Sequence, residues 1–307
     1  MLAIVAPGQG SQTPGFLSPW LENSRSSTFI QNWSSLIELD LRYLGSTADA
    51  VEIRETSNAQ PLLVAAGLIT ASTLFNDDFS KVALFAGHSV GEITVAALSR
   101  CIDFESAMKL VRTRGIEMSK AATGTNTGMA AVLGGDRDAV LTGLAELNLT
   151  AANENGAGQI VAAGNLAQIE LLLQNPPAGS RVRPLAVSGA FHTAVMQPAV
   201  PVLRALAGEL EISNPPHGVL SNKDGAYLNN GQEIIDRIVG QIASPVRWDL
   251  CMDTMAAMGV TGVIELAPAG TLVGLIKRAH PSIESFALKS PEELDGAREF
   301  VAKHGSN

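Results

Sequence analysis

Val82-Ala83-Leu84-Phe85-Ala86-Gly87-His88-Ser89-Val90-Gly91-Glu92 is the stretch that decides the fold of this chain. Val82 to Ala86 is a short apolar run of the kind that forms a buried strand. Gly87 to Gly91 is a G-x-S-x-G pentapeptide, and Glu92 to Leu98 can continue as a helix. A serine at such a strand-to-helix corner is held in strained backbone geometry with its Oγ above the sheet. Glycines two residues to either side let the chain turn that tightly. Ser89 is therefore a candidate nucleophile for acyl chemistry. Ser89-Val90-Gly91-Glu92 is also S-x-x-E, a capping box that would start a helix for structural reasons alone.

Outward from this corner, strand and helix signals alternate over the first ~120 residues, which predicts an α/β layered fold with a mainly parallel sheet. Strand 2–7 runs into Gly8-Gln9-Gly10-Ser11-Gln12, an apolar helix is expected over 61–75, and an amphipathic helix over 104–120. Near Ala122-Thr123-Gly124-Thr125-Asn126-Thr127-Gly128 the texture changes to a small-residue linker. Beyond it the expected order is strand 129–133, helix 136–147, strands 149–153 and 159–163, helix 166–174 and strand 183–187. That is the β-α-β-β-α-β order of a ferredoxin-like module. It is expected as an insertion, 126–188, within a catalytic domain made of 1–125 and 189–307. Further on, helices are expected over 197–210 and 232–242, strands over 218–220 and 262–266, and a last helix after 267–274. The tail past Glu299 reads as polar and frayed.

Composition narrows the function class. The 307 residues are 46% hydrophobic and 17% charged, a core-rich globular profile. A net charge of −9 argues against a general nucleic-acid or anionic-membrane surface. Cys101 and Cys251 stand far apart without C-x-x-C spacing, so neither a disulfide framework nor a zinc site is expected. The start, Met1 to Pro7, has no basic region and reads as a strand rather than a signal, and the apolar segment 61–75 reads as a core helix. The expected setting is cytoplasmic.

A serine nucleophile needs a base. Of the five histidines, His192 stands where the inserted module returns the chain to the main sheet, beside a cleft between domains, although an ordinary solvated loop histidine fits the same position. Oxyanion donors could come from the Val90 N–H at the helix start and from the Gly8-Gln9-Gly10 loop, which could equally be a plain turn. On the helix through 104–120, Ala107, Leu110, Val111, Arg114 and Met118 share one face. An arginine in the middle of that stripe needs an anionic partner, either a carboxylate of the protein or that of a substrate.

These motifs together resemble the malonyl-CoA:acyl carrier protein transacylases of fatty-acid synthesis, in texture an actinobacterial form. The matching segments are Gly8-Gln9-Gly10-Ser11-Gln12, Ala59-Gln60-Pro61, Gly87 to Glu92, Arg114-Gly115, Asn155 with Gly158-Gln159, Phe191-His192, Ser221-Asn222 and Pro245-Val246-Arg247-Trp248. The resemblance implies an α/β-hydrolase-like large domain with an inserted ferredoxin-like domain, and a ping-pong transfer through a malonyl ester of Ser89 with His192 as base. Gln9 and Val90 would supply the oxyanion-hole N–H groups, and Arg114 would clamp the malonyl carboxylate. The backbone carbonyl of Gln241, in place of an acidic residue, would steady His192. His88, Asn155 and Phe191 would stand at the substrate, with Phe191 crowding a 2-methyl branch. Implied too are acyl carrier protein as partner, no cofactor (the phosphopantetheine belongs to the carrier) and a monomeric state. A serine esterase, a transacylase of another pathway and a non-catalytic carrier-binding module are the alternatives.

Overall fold

The computed structural model describes residues 1–187 and 189–305. Ser188, where the expected insertion ends, lies outside the described residues, as do the last two residues of the tail. The chain folds into a mixed α/β structure with two sheets. The first part comprises β1 (Leu2–Ala6), α1 (Ser24–Ile37), α2 (Leu41–Ser46), α3 (Thr56–Phe75), β2 (Leu84–Gly87), α4 (Gly91–Leu98) and α5 (Phe104–Ala122). Next come β3 (Thr127–Gly134), α6 (Arg137–Glu146), β4 (Thr150–Gly156), β5 (Gln159–Asn165), α7 (Leu166–Gln174) and β6 (Ser180–Pro184). The chain continues through α8 (Val200–Ala207), β7 (Val219–Leu220), β8 (Tyr227–Leu228), α9 (Gly231–Gln241), β9 (Val246–Arg247) and α10 (Trp248–Ala257). It closes with β10 (Gly262–Glu265), α11 (Thr271–Ala279), β11 (Glu284–Ala287) and α12 (Leu294–His304).

The first sheet has six strands in the order β11-β10-β1-β2-β7-β8, parallel apart from the β7–β8 pair. β1 is buried along its whole length, as a strand covered by helices on both faces must be, and this explains its unbroken apolar sequence. Ala6 of β1 pairs with Gly87 of β2, so the loops after these two strands leave the same sheet edge side by side. The carboxyl edge of a parallel sheet is where such folds form ligand crevices.

The second sheet has the order β6-β3-β5-β4-β9. β3 to β6 pair antiparallel, while β9, from later in the chain, joins β4 in parallel. The second sheet is thus completed by a strand of the Pro245-to-Trp248 motif and tied to the first part of the molecule. Asn153 and Asn155 of β4 point alike, two residues apart, toward the first sheet's carboxyl edge, where both line the main cavity.

Several elements differ from expectation. α3 begins at Thr56, before Pro61, and the proline sits inside the helix. Its missing N–H would have bonded the Ser57 carbonyl, which instead accepts from Arg112 on α5 at 2.9 Å. Strand β6 ends at Pro184 rather than running to 187, because Leu185 and Val187 face the cavity. The helix expected over 197–210 is a 3-10 turn, Ala194–Ala199, followed by the short α8; Pro198 and Pro201 break its regularity. The tail is helical: Ala297, Val301 and His304 of α12 form a buried stripe, and His304 Nδ1 meets Thr261 Oγ1 at 3.0 Å. Among the described residues α3 alone is long and apolar enough to cross a membrane, and 83% of that apolar window is buried inside the protein.

Candidate active site

The corner at Ser89 is built by steric exclusion. A Cβ on Gly87 would lie 2.0 Å from the Gly91 carbonyl carbon, and one on Gly91 would lie 2.3 Å from Ala6 O. Only glycine fits at either place, so β2, the turn and α4 close against one another. Ser89 takes the left-handed backbone this requires, φ 54°. The capping box does not form. Ser89 N–H donates to Asn222 Oδ1 at 2.7 Å, while the Glu92 carboxylate turns away to accept from Asn222 N–H at 2.8 Å and Gln241 Nε2 at 2.9 Å.

Ser89 Oγ lies 2.8 Å from His192 Nε2. His192 Nδ1 lies 3.0 Å from the Gln241 carbonyl, an acceptor only. Nδ1 therefore carries the proton and Nε2 presents its lone pair to the serine hydroxyl. The imidazole is buried, and burial together with the nearby Arg114 charge pushes its pKa down to about 3. It is a neutral base.

Arg114 is 2% exposed, on the inner face of α5. One terminal nitrogen, NH2, donates to Ser89 Oγ at 3.2 Å and to Gln241 Oε1 at 3.0 Å. The other, NH1, is buried with no hydrogen-bond partner among the described residues. Burial lowers the guanidinium pKa to about 10, so it stays charged at neutral pH.

A cavity of about 230 Å³ opens between the two sheets over this group. Gln9, His88, Ser89, Val90, Asn155, Phe191 and His192 line it; Arg114 and Gln241 stand behind the wall. His88 Nε2 meets Asn155 Oδ1 at 2.8 Å, a bridge from the first sheet to the second. The loop after β1 comes close enough to His88 that a Cβ on Gly8 would lie 2.8 Å from the ring. The backbone N–H groups of Gln9 and Val90 donate to no backbone or side-chain acceptor of the described residues, which leaves both available to a ligand.

All nine residues singled out in the sequence thus gather around one cavity. Two that act on the same group carried no assigned role. Asn222 bridges both sides of the corner, accepting from Ser89 N–H and donating to Gly87 O at 2.7 Å. Glu92 was legible only as a helix cap. The Ser221-Asn222 pair within the matching motifs was the available signal for the first; nothing in spacing pointed to the second.

A parallel sheet with a serine–histidine pair at its carboxyl edge and a second sheet over it is built for acyl chemistry through serine. The acyl transferase domain family matches residues 4–290, and the chain belongs to that family. It is 46% identical over 297 residues to the malonyl CoA-acyl carrier protein transacylase of Mycobacterium tuberculosis, covering 96% of this chain and 98% of that protein. The crystal structure of MCAT from Mycobacterium tuberculosis superposes with a TM-score of 0.94 over 97% of this chain and 99% of that one, again at 46% identity. The structure of a type II PKS acyl-carrier protein in complex with its malonyl-transacylase superposes with a TM-score of 0.91 at 28% identity, over 97% and 99% of the two chains.

Proposed function

We propose that this protein transfers the malonyl group of malonyl-CoA to the phosphopantetheine thiol of an acyl carrier protein, through an ester on Ser89. The observation that carries the proposal is the buried Arg114 guanidinium, 3.2 Å from Ser89 Oγ, with one terminal nitrogen unpartnered among the described residues. A buried cation with a free donor beside a nucleophile suits an acyl group that ends in a carboxylate. An ordinary esterase has no use for it.

In the first half-reaction Ser89 Oγ attacks the thioester carbonyl and its proton passes to His192 Nε2. The Gln9 and Val90 N–H groups stabilise the oxyanion. The imidazolium that forms is steadied by the Gln241 carbonyl, and its proton leaves with the CoA thiol. In the second half the carrier thiol gives its proton to His192 and attacks the malonyl-serine ester; Ser89 recovers the proton as the thioester departs. Arg114 holds the malonyl carboxylate throughout, and Phe191, buried in the cavity wall, crowds a branched acyl group. No step calls for a cofactor.

The sheet order β6-β3-β5-β4 supports taking the segment around 126–188 as a ferredoxin-like insertion in a hydrolase-like body. We assign the chain to the cytoplasm as a monomer that supplies extender units for fatty-acid synthesis. The test is a two-stage labelling experiment. Incubation with malonyl-CoA should add one malonyl mass to the peptide containing Ser89, and holo carrier protein should then remove it. A labelled peptide lacking Ser89, or a label that only water discharges, would refute the proposal.

A further inference from the structure

Glu92, Gln241, Asn222 and Arg114 are all buried and form one hydrogen-bonded cluster beneath Ser89. Glu92 Oε1 accepts from Asn222 N–H at 2.8 Å, and Oε2 accepts from Gln241 Nε2 at 2.9 Å. Gln241 Nε2 also donates to Asn222 Oδ1 at 3.1 Å. The far end of the same amide, Gln241 Oε1, accepts from Arg114 NH2 at 3.0 Å. Glu92 and Arg114 are thus linked through an amide that stands between them. Burial pushes the Glu92 carboxyl pKa up to about 8, opposed by the Asn222 N–H, the Arg114 charge and the Gln241 amide.

Both Glu92 oxygens accept, one from a backbone N–H and one from an amide, whereas an amide has one end of each kind. With two acceptors, Glu92 Oε2 and Asn222 Oδ1, facing one end of Gln241, that end must be its NH2. Its oxygen must then face Arg114. Were Glu92 to pair directly with Arg114, its carboxylate would occupy the guanidinium that the substrate needs. The interposed amide transmits the orientation and leaves NH1 without a partner among the described residues.

We propose that Glu92 is a positioning residue for acyl-group selection: its carboxylate sets the orientation of the Gln241 amide, which presets Arg114 to receive the carboxylate of the acyl group. The proposal rests on the malonyl clamp assigned to Arg114 above. It makes a sharp demand on Glu92→Gln. The new NH2 must face either Asn222 N–H or Gln241 NH2, and both are donors. If Gln241 turns over to relieve the second clash, its NH2 faces Arg114 NH2 and its oxygen faces Asn222 Oδ1. Asn222 N–H is a backbone donor that cannot turn over, so the new NH2 takes the Gln241 side, and by that route the disturbance reaches the guanidinium.

The test is a double-mutant cycle of Glu92→Gln and Gln241→Met, read as malonyl and acetyl loading of Ser89 from the two CoA esters. Glu92→Gln should lower the malonyl-to-acetyl ratio of kcat/KM by about tenfold or more, the scale of a hydrogen bond to a charged group, with the loss in KM for malonyl-CoA. On the Gln241→Met background, which has no amide to orient, the same change should lower the ratio no further. An unchanged ratio, additive effects of the two substitutions, or a lowered malonyl KM would overturn the proposal. The last result would make Glu92 a counter-charge that competes with substrate. Should Glu92→Gln fail to fold, the cycle is run with Glu92→Asp, whose carboxylate is one methylene shorter and draws back from the Gln241 amide; the ratio should again fall, and an unchanged ratio is again contrary. Malonyl loading by the unaltered protein, and its dependence on Arg114, report separately on the proposed function.

Discussion

Ser89 and His192 both hold left-handed backbones, φ 54° and 60°, a conformation that costs a non-glycine residue roughly 1–3 kcal/mol. Hydrogen bonds hold each in place: Ser89 N–H to Asn222 Oδ1, and His192 N–H to Ile242 O at 3.1 Å. The strain aims the two side chains at each other. Burial of His192 has a consequence for stability. Its folded pKa, about 3, lies below the unfolded value near 6.5, so the unfolded chain takes up a proton first as the pH falls. The stability associated with the neutral imidazole is fully present above pH 6.5 and is lost as the pH drops from there toward 3. Between pH 7.5 and 5.5 this linkage amounts to about 1.4 kcal/mol, which His192→Gln removes. Denaturant melts at the two pH values should show the unaltered protein losing more than the variant by that margin; parallel losses would show that His192 is not held neutral.

At the scale of elements, the corner depends on two strands, β1 and β2, and the helix α4 meeting where no side chain fits. Gly91→Ala places a Cβ 2.3 Å from Ala6 O and should destabilise by more than about 3 kcal/mol or prevent folding. Gly240 near the end of α9 has nothing within 4 Å of a built Cβ, so Gly240→Ala should raise stability by up to about 1 kcal/mol. Thermal melts of the two variants check both signs; a folded, fully stable Gly91→Ala protein would mean that the corner is not closed by backbone contact. The elements the sequence announced are those whose pattern is set by local burial. β1 and β2 are uniformly apolar, and α5 carries its stripe from Ala107 to Met118. β6 and α12 depart from the sequence expectation because burial there has a different source. Leu185 and Val187 are apolar to line a cavity rather than a sheet, and α12 buries a histidine, which reads as polar.

Across the whole molecule, the cavity exists because the second sheet is set against the carboxyl edge of the first. The His88–Asn155 bridge and the pairing of β9 with β4 join the two halves. Ser89, His192 and Arg114 could be found in the sequence because corner, loop and stripe each have a local signature. The Glu92–Gln241–Asn222 cluster could not, since it joins α4, α9 and the loop after β7 across distances of 130 and 149 residues along the chain. Hydrogen-bond partners that far apart are chosen by the fold alone. The central claim, that Ser89 carries a malonyl ester held by Arg114, is tested most directly by acyl-enzyme formation. The protein and its Arg114→Ala variant are mixed with malonyl-CoA or acetyl-CoA, quenched, and the mass of the Ser89 peptide followed in time. The unaltered protein should load malonyl in strong preference to acetyl. Arg114→Ala should lose malonyl loading by more than about 100-fold, the scale of a buried charge pair broken, with acetyl loading changed far less. Equal loading of both acyl groups by the unaltered protein, or an unchanged preference in Arg114→Ala, would contradict it.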